Sequence, residues 1–172
     1  MGFVLPMHVF LVGMTGGGKS TLGRKLAANL SIRFVDTDER VCEMMGMSEA
    51  AIVKKYGEAF YHNAESGVLM ELSAEPPCIV ATGGGLPMVK ENVQLMQNQG
   101  IIIHVEKPLD QLLAEAGTRP QNDEDAMSHD EIIAQYNRRI GHYRACADYT
   151  LDNSFGPVVG LSALAALLDS IR

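Results

Sequence analysis

The run Met7-His8-Val9-Phe10-Leu11-Val12 passes directly into Gly13-Met14-Thr15-Gly16-Gly17-Gly18-Lys19-Ser20, and this junction decides the fold. A short, nearly continuous apolar run is what a strand covered on both faces requires, as in a parallel sheet with helices above and below. The stretch after it matches G-x-x-x-x-G-K-[ST], in which small residues let backbone N–H groups converge on a phosphate at the positive end of a helix. That helix follows at once, because Leu22, Leu26 and Leu30 repeat at four-residue spacing and form one apolar stripe. In a chain of this composition the motif arises by accident with a chance of roughly half a per cent, before its context is counted. Gly13, Gly16, Gly17 and Gly18 are therefore read as a cradle for a nucleoside triphosphate, with Thr21 beside it. Lys19 is placed to reach the β- and γ-phosphates, and Ser20 to offer an oxygen to Mg²⁺.

Outward from this loop, strands and helices alternate. Residues 32–35 read as a second strand ending in Asp36-Thr37-Asp38, and 39–73 as a helical insertion with Ser48 as an N-cap and Gly57 as a break. Residues 78–81 form a third strand, closed by Thr82-Gly83-Gly84-Gly85 and followed by a helix over 87–99 that Gly100 stops. A fourth strand at 101–105, a short helix at 108–116 and a polar loop at 117–127 come next. Ser128 and Glu131 have capping-box spacing ahead of a helix to about residue 147, then a strand at 149–151 and a closing helix at 157–171. This alternation predicts parallel strands joined by helical crossovers, a doubly wound α/β sheet in one domain.

Composition narrows the function classes. A chain of 172 residues, 47% hydrophobic and 20% charged, is sized for a single folded domain. Its net charge of -7 leaves no general basic field for a nucleic-acid backbone. The three cysteines lie far apart, so neither a disulfide framework nor a zinc site is expected. The N-terminus lacks the basic region of a secretory leader, and the apolar runs fall short of the roughly 20 residues of a membrane span. A cytoplasmic, monomeric protein acting on a small molecule, without nucleic acid or membrane, is the expectation. Glycine stands out, since seven of the 17 fall into the clusters at 13–18 and 83–85.

Asp36 and Asp38 sit at the carboxyl edge of the sheet, where open α/β folds bind ligands. One carboxylate there can support hydrated Mg²⁺, and the other can orient the proton of an attacking hydroxyl. The structural alternative is a helix N-cap beside a solvated acid. Gly83, Gly84 and Gly85 end the third strand at the same edge, and would serve either a ligand or a tight turn before Pro87.

Together these residues resemble the shikimate kinase family of small P-loop kinases. The resemblance runs from the loop at 13–24 through D-T-D at 36–38, Gly57-Glu58 with Glu65, T-G-G-G at 82–85 and T-R-P at 118–120 to the R-x-x-x-Y-R run at 139–144. It implies a three-layer α/β fold with a five-stranded parallel sheet of order 2-3-1-4-5, a substrate-binding insertion at about 39–73 and a lid at about 117–128. It implies transfer of the ATP γ-phosphoryl group to the 3-hydroxyl of shikimate. It also implies that Asp38 orients that hydroxyl, Asp36 supports Mg²⁺ through water, Gly83, Gly84, Gly85 and Arg139 hold the substrate, and Arg119 closes on the γ-phosphate.

Two positions depart from the family pattern. His62 stands where the family carries an arginine for the substrate carboxylate, and imidazole, mostly neutral at pH 7, lacks the two-pronged guanidinium fork. Residues 111–116 contain no arginine to stack on adenine, which directs the search for an adenine grip to 152–157. His62 is then either a pH-sensitive substrate contact or a helix-surface histidine. Two further readings use the same residues: a P-loop kinase for another hydroxy acid or polyol, and a nucleotide-binding regulator without transfer activity.

Overall fold

β1 (His8–Val12) is buried at every position, and its side chains divide between two cores. Val9 and Leu11 face one, made with Leu22, Leu26, Ile103, Leu164 and Leu168. Phe10 and Val12 face the other, made with Val35, Val41, Leu69, Val80, Ile102 and Tyr143. This alternation is why the first run reads as continuously apolar: each successive side chain meets a different layer of helices. The computed structural model describes residues 3–118 and 126–171.

The remaining strands are β2 (Phe34–Asp36), β3 (Ile79–Ala81), β4 (Gly100–Glu106) and β5 (Tyr149–Asp152). The sheet order is β2-β3-β1-β4-β5, every pairing is parallel, and Val9 lies between Ile79 and Ile101. The expected order and layers are therefore present. The chain reverses its direction of build at β1, whose neighbours are β3 and β4, and this opens a crevice at the strands' carboxyl ends.

The helices are α1 (Lys19–Leu30), α2 (Thr37–Met45), α3 (Glu49–Tyr56), α4 (Glu58–Leu72), α5 (Lys90–Gln99), α6 (Leu109–Ala116), α7 (His129–Cys146) and α8 (Pro157–Ser170). α1 and α8 cover one sheet face, while the insertion α2 to α4 packs with α5 and α7 on the other. Most boundaries shift by one or two residues from expectation, and two of the differences have a clear local cause. The second strand starts later, at Phe34, because Ser31 turns left-handed (φ 56°) to close α1 and Ile32 is spent in the turn. The helix expected over 87–99 is broken into a 3-10 turn at Leu86–Met88 and α5, with extended Val89 between them and Asn92 Nδ2 donating to Leu86 O at 3.0 Å across the break. The capping box of α7 is complete: Ser128 Oγ accepts from Glu131 N at 3.2 Å, and Ser128 N donates to Glu131 Oε2 at 2.9 Å.

Candidate active site

α1 begins at the mouth of the crevice. Gly18 is its N-cap in the left-handed region (φ 95°), and neither a capping side chain nor an acid in the first turn screens the helix N-terminus. Free N–H groups and the positive end of the helix dipole therefore face a cleft of about 380 Å³, whose walls include Thr15, Gly16, Gly18, Lys19, Ser20, Thr21 and Asp38. Gly13 and Gly17 stand behind this wall. A Cβ at Gly13 would lie 2.7 Å from Val105 O, and Gly17 N closes a turn on Met14 O at 3.0 Å.

Lys19 is buried, and its ammonium donates to Gly13 O at 2.6 Å and Met14 O at 2.8 Å. Burial lowers its pKa to about 8, against the opposing pull of Asp38 and Asp36. Ser20 donates to the Asp36 carboxylate, whose Oδ1 also accepts from Glu39 N at 3.1 Å and caps α2. Both sequence readings of Asp36 thus hold in part: it is an N-cap, and it is tied to the hydroxyl at the phosphate end of the cleft.

Asp38 lies one residue inside α2 and reaches the cleft wall. Tyr61 donates its hydroxyl to Asp38 Oδ1 at 2.5 Å. Burial raises the Asp38 carboxyl above its ordinary range, the Tyr61 bond opposes that rise, and the charge of Asp36 adds to it. Glu65, one turn further along α4, is only 2% exposed, and its Oε2 is buried without a hydrogen-bond partner. Burial first, and then the Asp38 charge, push the Glu65 carboxyl well above the usual carboxylate range. Two buried carboxyls side by side do not both ionise freely.

The glycine turn forms the floor between these groups. A Cβ at Gly83 would fall 2.5 Å from Asp38 Oδ1, one at Gly84 2.8 Å from the Arg139 guanidinium, and one at Gly85 3.0 Å from the His62 ring. The missing side chains thus make the space onto which Asp38, Arg139 and His62 converge. The N–H of Gly83 is already spent on Thr37 Oγ1 at 2.8 Å, and Gly84 O accepts from Tyr143 at 2.6 Å. Of the adjacent arginines, Arg138 is exposed and Arg139 is half-buried against this floor. Arg119 lies outside the described residues.

Several contributors escape motif reading. Thr37, Tyr61 and Tyr143 brace the acceptor side, and each is a polar residue at a buried position, a signal visible only once helix faces are known. Asn153 Nδ2 donates to Gly17 O at 2.8 Å, and Gln111 Nε2 to Ser154 O at 3.0 Å, so the β5–α8 loop is fastened to both the phosphate loop and α6. Asn153 and Gly156 from this loop and Pro157 at the start of α8 line the cleft, as does the Lys107–Glu115 ion pair.

The geometry agrees with comparisons against known proteins. The family model for shikimate kinase matches residues 15–163. Shikimate kinase 2 of Escherichia fergusonii is 36% identical over 169 residues, covering 95% of this chain and 92% of that one. The shikimate kinase of Clostridium beijerinckii is 34% identical, over 84% of this chain and 85% of the relative. Among solved structures, a shikimate kinase from Acinetobacter baumannii in complex with shikimate superimposes with a TM-score of 0.82 at 27% identity, covering 95% and 94% of the two chains. The enzyme from Aquifex aeolicus gives 0.79 at 29% identity, over 95% and 96%. With its sheet order, its phosphate loop and nearly its whole length matched in this way, the chain belongs to the shikimate kinase family.

Proposed function

We propose that this protein transfers the γ-phosphoryl group of ATP to the 3-hydroxyl of shikimate, with Mg²⁺. The observation that carries the reading is the position of Asp38, which shares one cleft with Lys19 and the open end of α1 and also abuts the Gly83 floor beside Arg139 and His62. A single carboxylate on the boundary between a phosphate site and an acceptor site is what phosphoryl transfer to an alcohol needs. Asp38 accepts or orients the proton of the attacking hydroxyl. Lys19 leaves the carbonyls it holds and neutralises charge on the transferring group, as does Arg119, assigned to the lid from the resemblance.

Ser20 and Asp36 offer only oxygen donors, the hard set that suits Mg²⁺. The ion would be held by the Ser20 hydroxyl, by Asp36 through water, and by phosphate. When bound, the ion would supply charge neutralisation at the phosphates. Arg139 and His62 receive the substrate carboxylate, and the β5–α8 loop with Asn153 and Pro157 takes the adenine side. We also assign a cytoplasmic monomer, and no helix among the described residues is long and apolar enough to cross a membrane.

A coupled ADP-release assay tests this at pH 6 to 8 with millimolar shikimate, quinate or gluconate. Turnover stimulated by shikimate in preference to the other two is expected. Release no faster than background hydrolysis with all three would overturn the kinase reading, and a preference for quinate or gluconate would replace the acceptor.

A further inference from the structure

Asp38 accepts a hydrogen bond from Tyr61 that the proposed reaction does not use. Tyr61 is 2% exposed, on α4, and donates its hydroxyl to Asp38 Oδ1 at 2.5 Å. A buried phenol needs a hydrogen-bond partner, and carbonyl oxygens are the common choice in a protein interior. This one ends on a carboxylate facing the cleft. The same oxygen reaches into the space that Gly83 leaves, where a Cβ would stand 2.5 Å away. Oδ1 is therefore committed to the protein, and Oδ2 remains as the oxygen for an acceptor proton.

We propose that Tyr61 is a positioning residue for phosphoryl transfer, holding the Asp38 carboxylate in the one orientation that presents its free oxygen to the acceptor hydroxyl. The proposal rests on the kinase reading above. The terminal torsion of an aspartate is broad and roughly two-fold, so an unheld carboxylate samples orientations that misdirect the proton acceptor. Of the neighbouring carboxyls, Asp36 is engaged by Ser20 and Glu39 N, whereas Glu65 meets Asp38 side chain to side chain, so the hold on Asp38 comes from α4, through the phenol and the carboxyl one turn beyond it. The phenol's part is a short O–H···O⁻ bond from a rigid ring on a packed helix. Burial and the adjacent carboxylate keep the phenol protonated far above its ordinary range, so it remains a donor.

Tyr61→Phe removes one oxygen and keeps the ring in the core. We expect kcat to fall about 10- to 100-fold, the scale of one charge-assisted hydrogen bond, with KM for ATP and the unfolding midpoint nearly unchanged. If Tyr61 acts through Asp38, adding Tyr61→Phe to Asp38→Asn lowers the residual rate by less than about twofold. An unchanged kcat in the single variant, or the same fold loss in both backgrounds, overturns the proposal. Wild-type activity is measured alongside: if wild type shows no shikimate-stimulated turnover, the kinase reading fails and takes this proposal with it. If wild type turns over and Tyr61→Phe matches it, only this proposal fails. A crystal structure of the wild-type enzyme with shikimate gives a readout independent of the variant's folding. The acceptor hydroxyl must meet the Asp38 oxygen that Tyr61 does not hold, and the reverse arrangement overturns the assignment.

Discussion

The two sides of the cleft are built by different means. The phosphate side is one contiguous stretch, residues 13–20, and most of what it offers a ligand is backbone at the start of α1. The acceptor side gathers side chains from α2, α4 and α7 onto the floor at 83–85. The first depends on conformation, the second on distance. A backbone site is damaged by whatever changes φ and ψ, while a gathered site is damaged by whatever fills or charges the space between its members.

Asp38→Asn and Lys19→Ala should separate the two sides with the largest effects. Each is expected to reduce kcat by about 10³-fold or more, the order seen when a base or a transition-state cation is removed. Lys19→Ala should also raise KM for ATP, whereas Asp38→Asn should leave it nearly unchanged. Lys19 is buried but lies on the cleft wall, so cooperative unfolding should survive in both variants, as circular dichroism melts will check. A raised KM for ATP in Asp38→Asn would mean the two sides are not separable.

Alanine at Gly18 and at Gly83 attacks the two design principles in turn. At Gly18 the backbone sits at φ 95°, where a Cβ is strained whatever the space around it. At Gly83 a Cβ meets Asp38 Oδ1 at 2.5 Å. Each change should lower kcat/KM by about 10²-fold, the cost of displacing reacting groups by about an ångström. The loss should appear in KM for ATP at Gly18 and in KM for shikimate at Gly83. Losses of equal kind at both positions would dissolve the distinction.

The same contrast explains what was legible in the sequence. Residues 13–20 carry their site in their order, so Lys19, Ser20 and the start of α1 follow from the pattern alone. The sheet was legible because strands buried on both faces must read as apolar runs, and those runs alternate with helical stripes. The acceptor side depends on which helix faces meet, and single-sequence spacing does not encode that. Asp38 and Gly83 were legible as residues at the ligand edge of the sheet, where a carboxylate could orient a hydroxyl, but their assignment to the substrate, and that of Arg139, was reached through family resemblance. Tyr61, which bonds Asp38 across 23 positions, was not reached at all, nor was Thr37, which binds the N–H of Gly83. The break at Val89 was missed for a local reason: Pro87 starts a helix well, and nothing in the spacing of residues 87–99 marks the 3-10 turn before α5.

Glu65 tests how closely the acceptor side is packed. Its carboxyl is raised above the unfolded value by burial and by Asp38. The folded chain therefore binds more protons than the unfolded chain between the two pKa values, and stability falls as pH climbs through that window. Glu65→Gln removes the titration while keeping the shape. Its unfolding midpoint should gain on wild type by about 3 °C or more between pH 5 and 8, the size of a change of about 1 kcal/mol in a domain of this length. Parallel melting curves across that range would show that the carboxyl ionises as easily in the folded chain as in the unfolded one.

The smallest effect, and the one that separates the chain from its family's pattern, belongs to His62. Its ring and the Arg139 guanidinium approach the Cβ position of Gly85 to 3.0 and 3.5 Å, and the Tyr61 ring lies edge-on at 6.2 Å. Two donors therefore flank one point on the acceptor floor, and only Arg139 brings the planar, two-pronged guanidinium. An imidazolium beside it would add a second charge for a carboxylate, while a neutral imidazole adds at most one N–H donor. Because a guanidinium at this position would add a second charged, two-pronged donor for a carboxylate, His62→Arg should lower KM for shikimate about three- to tenfold, with kcat changing less. The binding energy involved is made equally in ground and transition states, which is why KM carries it. A KM for shikimate in His62→Arg equal to that of wild type would assign His62 to the helix surface and leave the carboxylate to Arg139.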